Sequence, residues 1–379
     1  MSFSLPLEAD TKAFLIRGPL RNFAPRGTRE SRNSKRYTLS FQDFPVPRLL
    51  AYSLRLAGIE VGGPHEKVEW WSLFLYRDLP VSLAHEKFGL RLSVPEDLPP
   101  REAAELVAEI GKQLLAATRA VEKIFLGVAP GMMRRGDVTV VNQHYSLERA
   151  YLYFRGRALA PDLVEDEYKV LSADSSSLLV GENVMRMNAF HDMVAAITAF
   201  LSRLEHDLVL ALPFANFDSK VDNLATFVGI RWGEKYDRIF RGVNLASQYR
   251  RQLTDVVERW RNPYSHGGFE KNHAATIYLH APNVGALPVG LTKVRDSPLF
   301  SFFPATESTI EEVFRLFDDF DDWMAKELKE ATRWIDSGLD VRFDSEFRGF
   351  LNDARANRNF DDLIEYFQKQ RSIADNMDY

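Results

Sequence analysis

The run Trp260-Arg261-Asn262-Pro263-Tyr264-Ser265-His266-Gly267-Gly268 packs a strong cation, an amide and an imidazole into six residues beside a glycine break. Arg261 can grip a phosphate through two parallel N–H bonds. His266 carries a side chain that can give or take a proton near neutrality. Asn262 and His266 are four apart, so one helical turn would put them on a shared face. Asparagine is a good N-cap and proline suits the first helical position, which predicts a short helical turn opening at Asn262-Pro263 with Arg261 just outside it. The same residues also suit a plain helix end, with a basic side chain near the last carbonyls and glycines just beyond. Pro263 weighs against that bland alternative, because proline is costly inside a helix and would fix the Arg–His geometry instead.

These residues resemble the signature of the HEPN superfamily: an arginine, a polar residue that is often asparagine, and a histidine four to six positions after the arginine, frequently followed by glycine. Arg186 and His191 share the spacing, but Met187 follows that arginine. Arg259 also lies within range of His266 and is a rival for the arginine role. The resemblance spans roughly residues 185–336. It implies a small helical bundle acting as a metal-independent endoribonuclease that needs no cofactor. It further implies a homodimer bringing two motifs across one cleft, with RNA as the partner. The setting it implies is prokaryotic stress response or anti-phage defence, where such toxins stop growth by cutting RNA. His266 would then act as base on the ribose 2′-hydroxyl or as acid on the leaving 5′-oxygen, and Arg261 would hold the scissile phosphate. The products would be a 2′,3′-cyclic phosphate and a 5′-hydroxyl. Asn262 would orient the histidine or the phosphate, with Ser265 and Tyr264 in support. Glu205, beside His206, falls where the resemblance implies an acidic residue pointing towards the arginine, although a solvated helix face explains it equally.

A bundle must carry that motif, and the periodicity predicts one. Phe190, Met193, Val194, Ile197, Phe200, Leu201, Leu204, Leu208 and Leu212 form a helical stripe ending at Pro213. Asp218 can cap a shorter helix through Phe227, and Gly233 to Phe240 adds a turn or two. Leu245, Tyr249, Leu253, Val256 and Trp260 give a third stripe that delivers the chain to Arg261. After the glycines come β-like runs at Thr276–Leu279 and Leu299–Phe303. A long helix then starts near Thr306, with Ile310 to Ile335 on one face. Such stripes can be buried only against each other.

Upstream, residues 1–180 read as an α+β domain of unrecognised type, a candidate sensor or regulator with its own ligand or partner. Phe14-Leu15-Ile16 reads as a short strand, and the passage containing Arg17, Arg21, Arg26, Arg29, Arg32, Lys35 and Arg36 as a loop. That passage can track a phosphate backbone, with Phe23 and Tyr37 as stacking partners. Tyr37–Phe41, Val68–Tyr76 and Phe88–Val94 read as strands, and Val46–Leu56 as a short helix. A long helix runs from Pro99-Pro100 to about Phe125, followed by a loop over 127–136 and a strand near Asp137–Val141. The expected fold class is thus an α+β domain, then an all-α bundle over 185–336 with a small β-like insertion, then a helical C-terminal appendage over 340–379.

Composition narrows the chemistry. The chain has no cysteine, which removes disulfides, thiolate catalysis and thiolate-bound zinc. Its net charge of −5 makes it no generic polyanion binder, so any nucleic-acid contact needs a local basic surface. Asp318, Asp319, Asp321 and Asp322 flank an apolar stripe without a histidine at ligand spacing, so a solvated face is expected there rather than a metal site. His273 and His280 have no matching ligand set either. No stretch approaches the ~18 apolar residues of a membrane span. The start of the chain does not read as a signal peptide, and a cytoplasmic protein is expected.

Overall fold

A computed structural model describes residues 8–25, 33–172, 174–215, 217, 222–265, 278–288 and 303–376. The chain divides into two compact units, Met1–Met132 with Glu365–Tyr379, and Met133–Ile364. A sheet dominates the described part of the first, and helices dominate the second.

In the first unit, α1 (Glu8–Arg17) precedes the strands β1 (Phe23–Pro25) and β2 (Ser34–Thr38). Phe14-Leu15-Ile16 therefore lies in a helix, not a strand, because so short an apolar run fits either period. Helix α2 (Pro47–Leu56) takes its proline at the first turn. Then come β3 (Val61–Gly62), β4 (Val68–Tyr76), β5 (Leu79–Glu86), β6 (Gly89–Pro95) and the helix α3 (Pro100–Arg135). The helix runs straight through the expected loop at 127–136, with Pro130 inside it.

The strands form one antiparallel sheet in the order β1-β4-β5-β6-β2, with β3 also paired to β4. The hairpin from β4 to β5 turns on Arg77 and Asp78, both at positive φ. That conformation matches the right-handed twist of the flanking strands. One sheet face alternates into the core through Phe74, Tyr76, Val81, Leu83, Leu92 and Val94. It packs with Leu50 and Leu54 of α2 and with Ile110, Leu114, Ala117 and Val121 of α3.

The second unit contains β7 (Thr139–Val140), α4 (His144–Leu159), the hairpin β8 (Glu167–Ser172) and β9 (Ser175–Leu179), and the 31-residue α5 (Gly181–Ala211). Helix α4 packs along α5, so residues 133–180 group with the helical unit rather than with the sheet. Short helices α6 (Leu224–Gly229) and α7 (Trp232–Ile239) follow. Asn223 caps the first of these by accepting from the Thr226 amide; Asp218 lies outside the described residues.

Then come α8 (Ala246–Val256) and α9 (Asn262–Ser265), the strands β10 (Tyr278–Ala281) and β11 (Gly285–Pro288), and α10 (Glu307–Glu327), capped by Thr306. The expected β-like run at 276–279 falls partly, and that at 299–303 mostly, outside the described residues. The last long helix breaks at Leu328, and α11 (Lys329–Asp336) continues it. After β12 (Val341–Arg342), paired with β7, come α12 (Ser345–Asn357) and α13 (Phe360–Asn376), whose residues from Glu365 onward are counted with the first unit.

Aromatic packing holds this unit together. Phe200 of α5 stacks flat on Phe317 of α10 at 3.8 Å, and Tyr151 of α4 meets Phe200, Phe314 and Phe317 edge-on. Phe343, Phe347 and Leu351 are buried, and Phe347 meets Trp334 edge-on at 5.0 Å. Residues 340–364 are therefore part of the core and not an appendage. No described helix is long and apolar enough to cross a membrane.

Candidate functional site

Leu253, Val256, Val257 and Trp260 bury one face of the helix that carries the motif. Past Val256 the helix does not end but widens into a π turn over Val257–Arg261, and the amide of Asn262 donates to the carbonyl of Val257, five residues back. Pro263 supplies the reason. It has no amide hydrogen for the carbonyl four residues earlier, and its ring crowds that turn, so a wider turn lets the helix continue. Asn262 sits at φ −64° and ψ −42°, a helical conformation. It is thus not the N-cap its identity suggested, and Arg261 belongs to the helix rather than hanging outside it.

Trp260 and Tyr264 fasten this segment to α5. Tyr264 meets Phe190 edge-on at 4.9 Å, and Trp260 meets the same ring at 6.3 Å. The adjoining helix face, through Arg250, Thr254, Val257, Glu258, Arg261 and Asn262, lines a cleft of about 990 Å³. Thr198, Leu201, Ser202 and Glu205 of α5 form a second side, and Gly229 to Glu234 a third. Arg261, Asn262 and Glu205 therefore meet in one cleft. The buried Nε of Arg261 has no acceptor among the described residues, whereas that of Arg250 lies 3.5 Å from the Asp237 carboxylate.

Glu205 is engaged elsewhere: its carboxylate accepts from Lys235 Nζ at 2.6 Å, and Lys235 is only 3% exposed. Its partner is this buried lysine of α7 rather than Arg261. Arg250 is also built in. Its guanidinium lies over the Trp232 ring at 4.4 Å and donates to the Thr254 hydroxyl. A Cβ on Gly233 would come within 1.8 Å of that guanidinium, so glycine is what leaves it room.

His266 lies outside the described residues, as do Arg29 and Arg32, and the Ser265 side chain is likewise outside them. Arg259 is not among the cleft residues; its guanidinium packs on Trp260 at 4.9 Å. Lys35 and Arg36 sit on β2 in the first unit, where alternation sends them to opposite faces of the sheet. Arg186, which shares the motif's spacing with His191, is tied to Glu182 of its own helix.

A second charged cluster went unnoticed in the sequence. Asp207 of α5, 1% exposed, accepts from His144 Nδ1 of α4 at 2.9 Å. One turn back, the buried Arg203 bonds Asp321 of α10 and lies over the Tyr151 and Phe200 rings. Burial alone would lower the His144 pKa, but the hydrogen bond and charge of Asp207 outweigh it, and the imidazole is held above its ordinary value. Burial pushes the Asp321 carboxyl up against the pull of Arg203, and pushes the Tyr151 phenol up to about 12. His206, beside Glu205, accepts the Gln143 amide at 3.0 Å and is held below its ordinary value by burial.

Asp318 takes a bidentate grip from Arg155 at 2.5 and 2.6 Å, so half of the aspartate run is clamped by arginines instead of facing only solvent. Among the described residues no group of three or more histidines and carboxylates is placed to hold a metal ion. The sequence did hold one clue to this cluster, two opposite charges four apart, Arg203 and Asp207, inside the α5 stripe.

Comparison with family models, with curated proteins and with solved structures returns no match for this chain.

Proposed function

We propose that this protein is a HEPN-type endoribonuclease that cuts RNA without a metal ion. The observation that carries the reading is the pair Arg261–Asn262 on a cleft wall, with a buried guanidinium nitrogen that no described residue satisfies. A buried donor left unpaired is costly unless a ligand meets it. A phosphate diester fits a guanidinium best, since two parallel N–H groups match two phosphate oxygens. The helical setting, with aromatic rings fastening the motif to α5, agrees with the bundle that the resemblance implies.

In this reading Arg261 holds the scissile phosphate and offsets the charge that grows on it as the 2′-oxygen attacks. His266 takes the 2′-proton or returns one to the leaving 5′-oxygen. One imidazole serves poorly in both roles within one turnover, so two copies present two motifs to one phosphate. The chain leaves a 2′,3′-cyclic phosphate and a 5′-hydroxyl. A prokaryotic defence or stress role follows from the same resemblance.

The test is expression with and without the motif, followed by purification and cutting in EDTA. Wild-type protein should poison its host and cut RNA with EDTA present, and Arg261→Ala and His266→Ala should do neither. Variants that cut as fast as wild type would overturn the proposal. One observation favours a second reading, a non-catalytic nucleotide-binding or dimerisation module: Glu205 is held by Lys235 instead of facing Arg261. That module would leave RNA intact and the host indifferent to either substitution.

A further inference from the structure

The sheet of the first unit carries a second candidate site, and its logic lies in the strand register. Two cross-strand rows run side by side over one face. In the first, Trp71 of β4 stands opposite Ala84 of β5, which stands opposite Arg91 of β6, which stands opposite Thr38 of β2. In the second, Leu73, Ser82, Ser93 and Arg36 follow in the same order. Both rows therefore pass from a large apolar residue, through small ones, to an arginine at or next to the far edge. A cavity of about 590 Å³ lies over them, lined also by Glu60, His65 and Glu86. That size falls within the usual range for a small-molecule site.

Each part of the arrangement is fixed from behind. Gly62 of β3 pairs with Trp71, and a Cβ there would stand 2.6 Å from the indole. The backbone of Gly62 has no positive φ, so space for the ring, not turn geometry, is what glycine provides. Trp71 nevertheless stays 38% exposed and lines the cavity. Arg91 is held by the Thr38 hydroxyl and by the Phe88 carbonyl at 3.1 Å. Among the described residues Arg36 meets Glu86 in an exposed contact at 3.5 Å, a pair that stabilises little and that a phosphate can displace.

Strand spacing sets the dimensions. From β4 to β6 is about 10 Å and from β4 to β2 about 14 Å, while the two rows lie about 7 Å apart. We propose that this face binds a free mononucleotide, its base stacked on Trp71 over the Ala84–Ser82–Ser93 floor and its phosphate between Arg36 and Arg91. An indole offers a flat apolar surface to any base, and paired guanidiniums suit a terminal phosphate. The small floor residues let a flat ring approach the sheet, which larger side chains there would prevent. The site shares no lining residue with the Arg261 cleft and does not depend on the nuclease reading.

Calorimetric titration of the full chain with AMP, GMP, CMP and UMP tests the proposal, using an Arg261→Ala background so that the other cleft contributes no phosphate grip. At least one nucleotide should bind, with its nucleoside and ribose 5-phosphate each weaker by about tenfold or more. Ala84→Leu, which fills the floor without touching a charge, should abolish binding while circular dichroism stays unchanged. The double substitution Arg36→Ala/Arg91→Ala should weaken the nucleotide by about tenfold or more and leave the nucleoside unaffected. The proposal is overturned if no nucleotide binds at millimolar concentration, if Ala84→Leu binds as wild type does, or if single-stranded RNA binds where all four nucleotides fail.

Discussion

Two charged regions of the helical unit differ in how their cations are answered. Around Asp207 the cations are each met by a carboxylate: His144 by Asp207, Arg203 by Asp321, Arg155 by Asp318. In the cleft, the buried Nε of Arg261 has no acceptor among the described residues, while Arg250 beside it is answered by Asp237 at 3.5 Å. The difference separates two uses of charge. A matched set shared by α4, α5 and α10, buried at His144, Asp207 and Arg203, ties those helices together, whereas a guanidinium with an unanswered buried nitrogen on a cleft wall is suited to a ligand. Arg203 tempers the contrast, because its own Nε is also unmet, yet its terminal nitrogens reach Asp321 and Glu148.

The comparison can be broken first at the matched cluster. Asp207→Ala leaves the imidazolium of His144 and the guanidinium of Arg203 buried without it, and should cost about 3–5 kcal/mol of unfolding free energy in urea titrations. A loss under about 1 kcal/mol would mean that the cluster does not hold the helices.

The pH dependence sharpens the same point. His144 has a folded-state pKa raised above the ordinary value of about 6.5. Its contribution to stability is therefore full below that ordinary value, and is lost as pH rises through the raised one. Urea midpoints for wild type should fall between pH 6 and pH 9, and His144→Asn should flatten that fall. A smaller effect is expected at the cleft wall. Gly233→Ala should push Arg250 off Trp232, costing about 0.5–1 kcal/mol of the cation–π stack and weakening RNA binding modestly. Unchanged binding and unchanged tryptophan fluorescence would show that Arg250 only props the wall.

How far these regions could be read in advance follows from period and distance along the chain. The helix α5 and the strand β4 were readable because long stripes and strict alternation declare their partners. Helix α4 was not, because Leu152, Tyr153 and Leu159 lie on its exposed face and blur the stripe. Strand β5 was missed beside stronger neighbours, with Pro80 near its start and His85 and Glu86 at its end. That Glu205 belongs with Arg261 and Asn262 was implied by the resemblance alone, and the three line one cleft. By contrast, the pairing of Glu205 with Lys235, thirty residues on, is set by how α5 and α7 pack. The π turn at Arg261 was hidden for a related reason. Asparagine before proline reads as a helix start, and only burial of Val257 and Trp260 on one side shows why the helix carries on. The rows on the sheet needed the register, which no single strand contains.

The most direct measurement pairs two readouts on Arg261→Ala: single-turnover cleavage of a 5′-labelled RNA in EDTA, and the urea midpoint of the same sample. The account expects cleavage to fall at least about a hundredfold, as for loss of one transition-state donor, while unfolding free energy moves by no more than about 0.5 kcal/mol. Cleavage at the wild-type rate, or a loss of stability like that of Asp207→Ala, would contradict it.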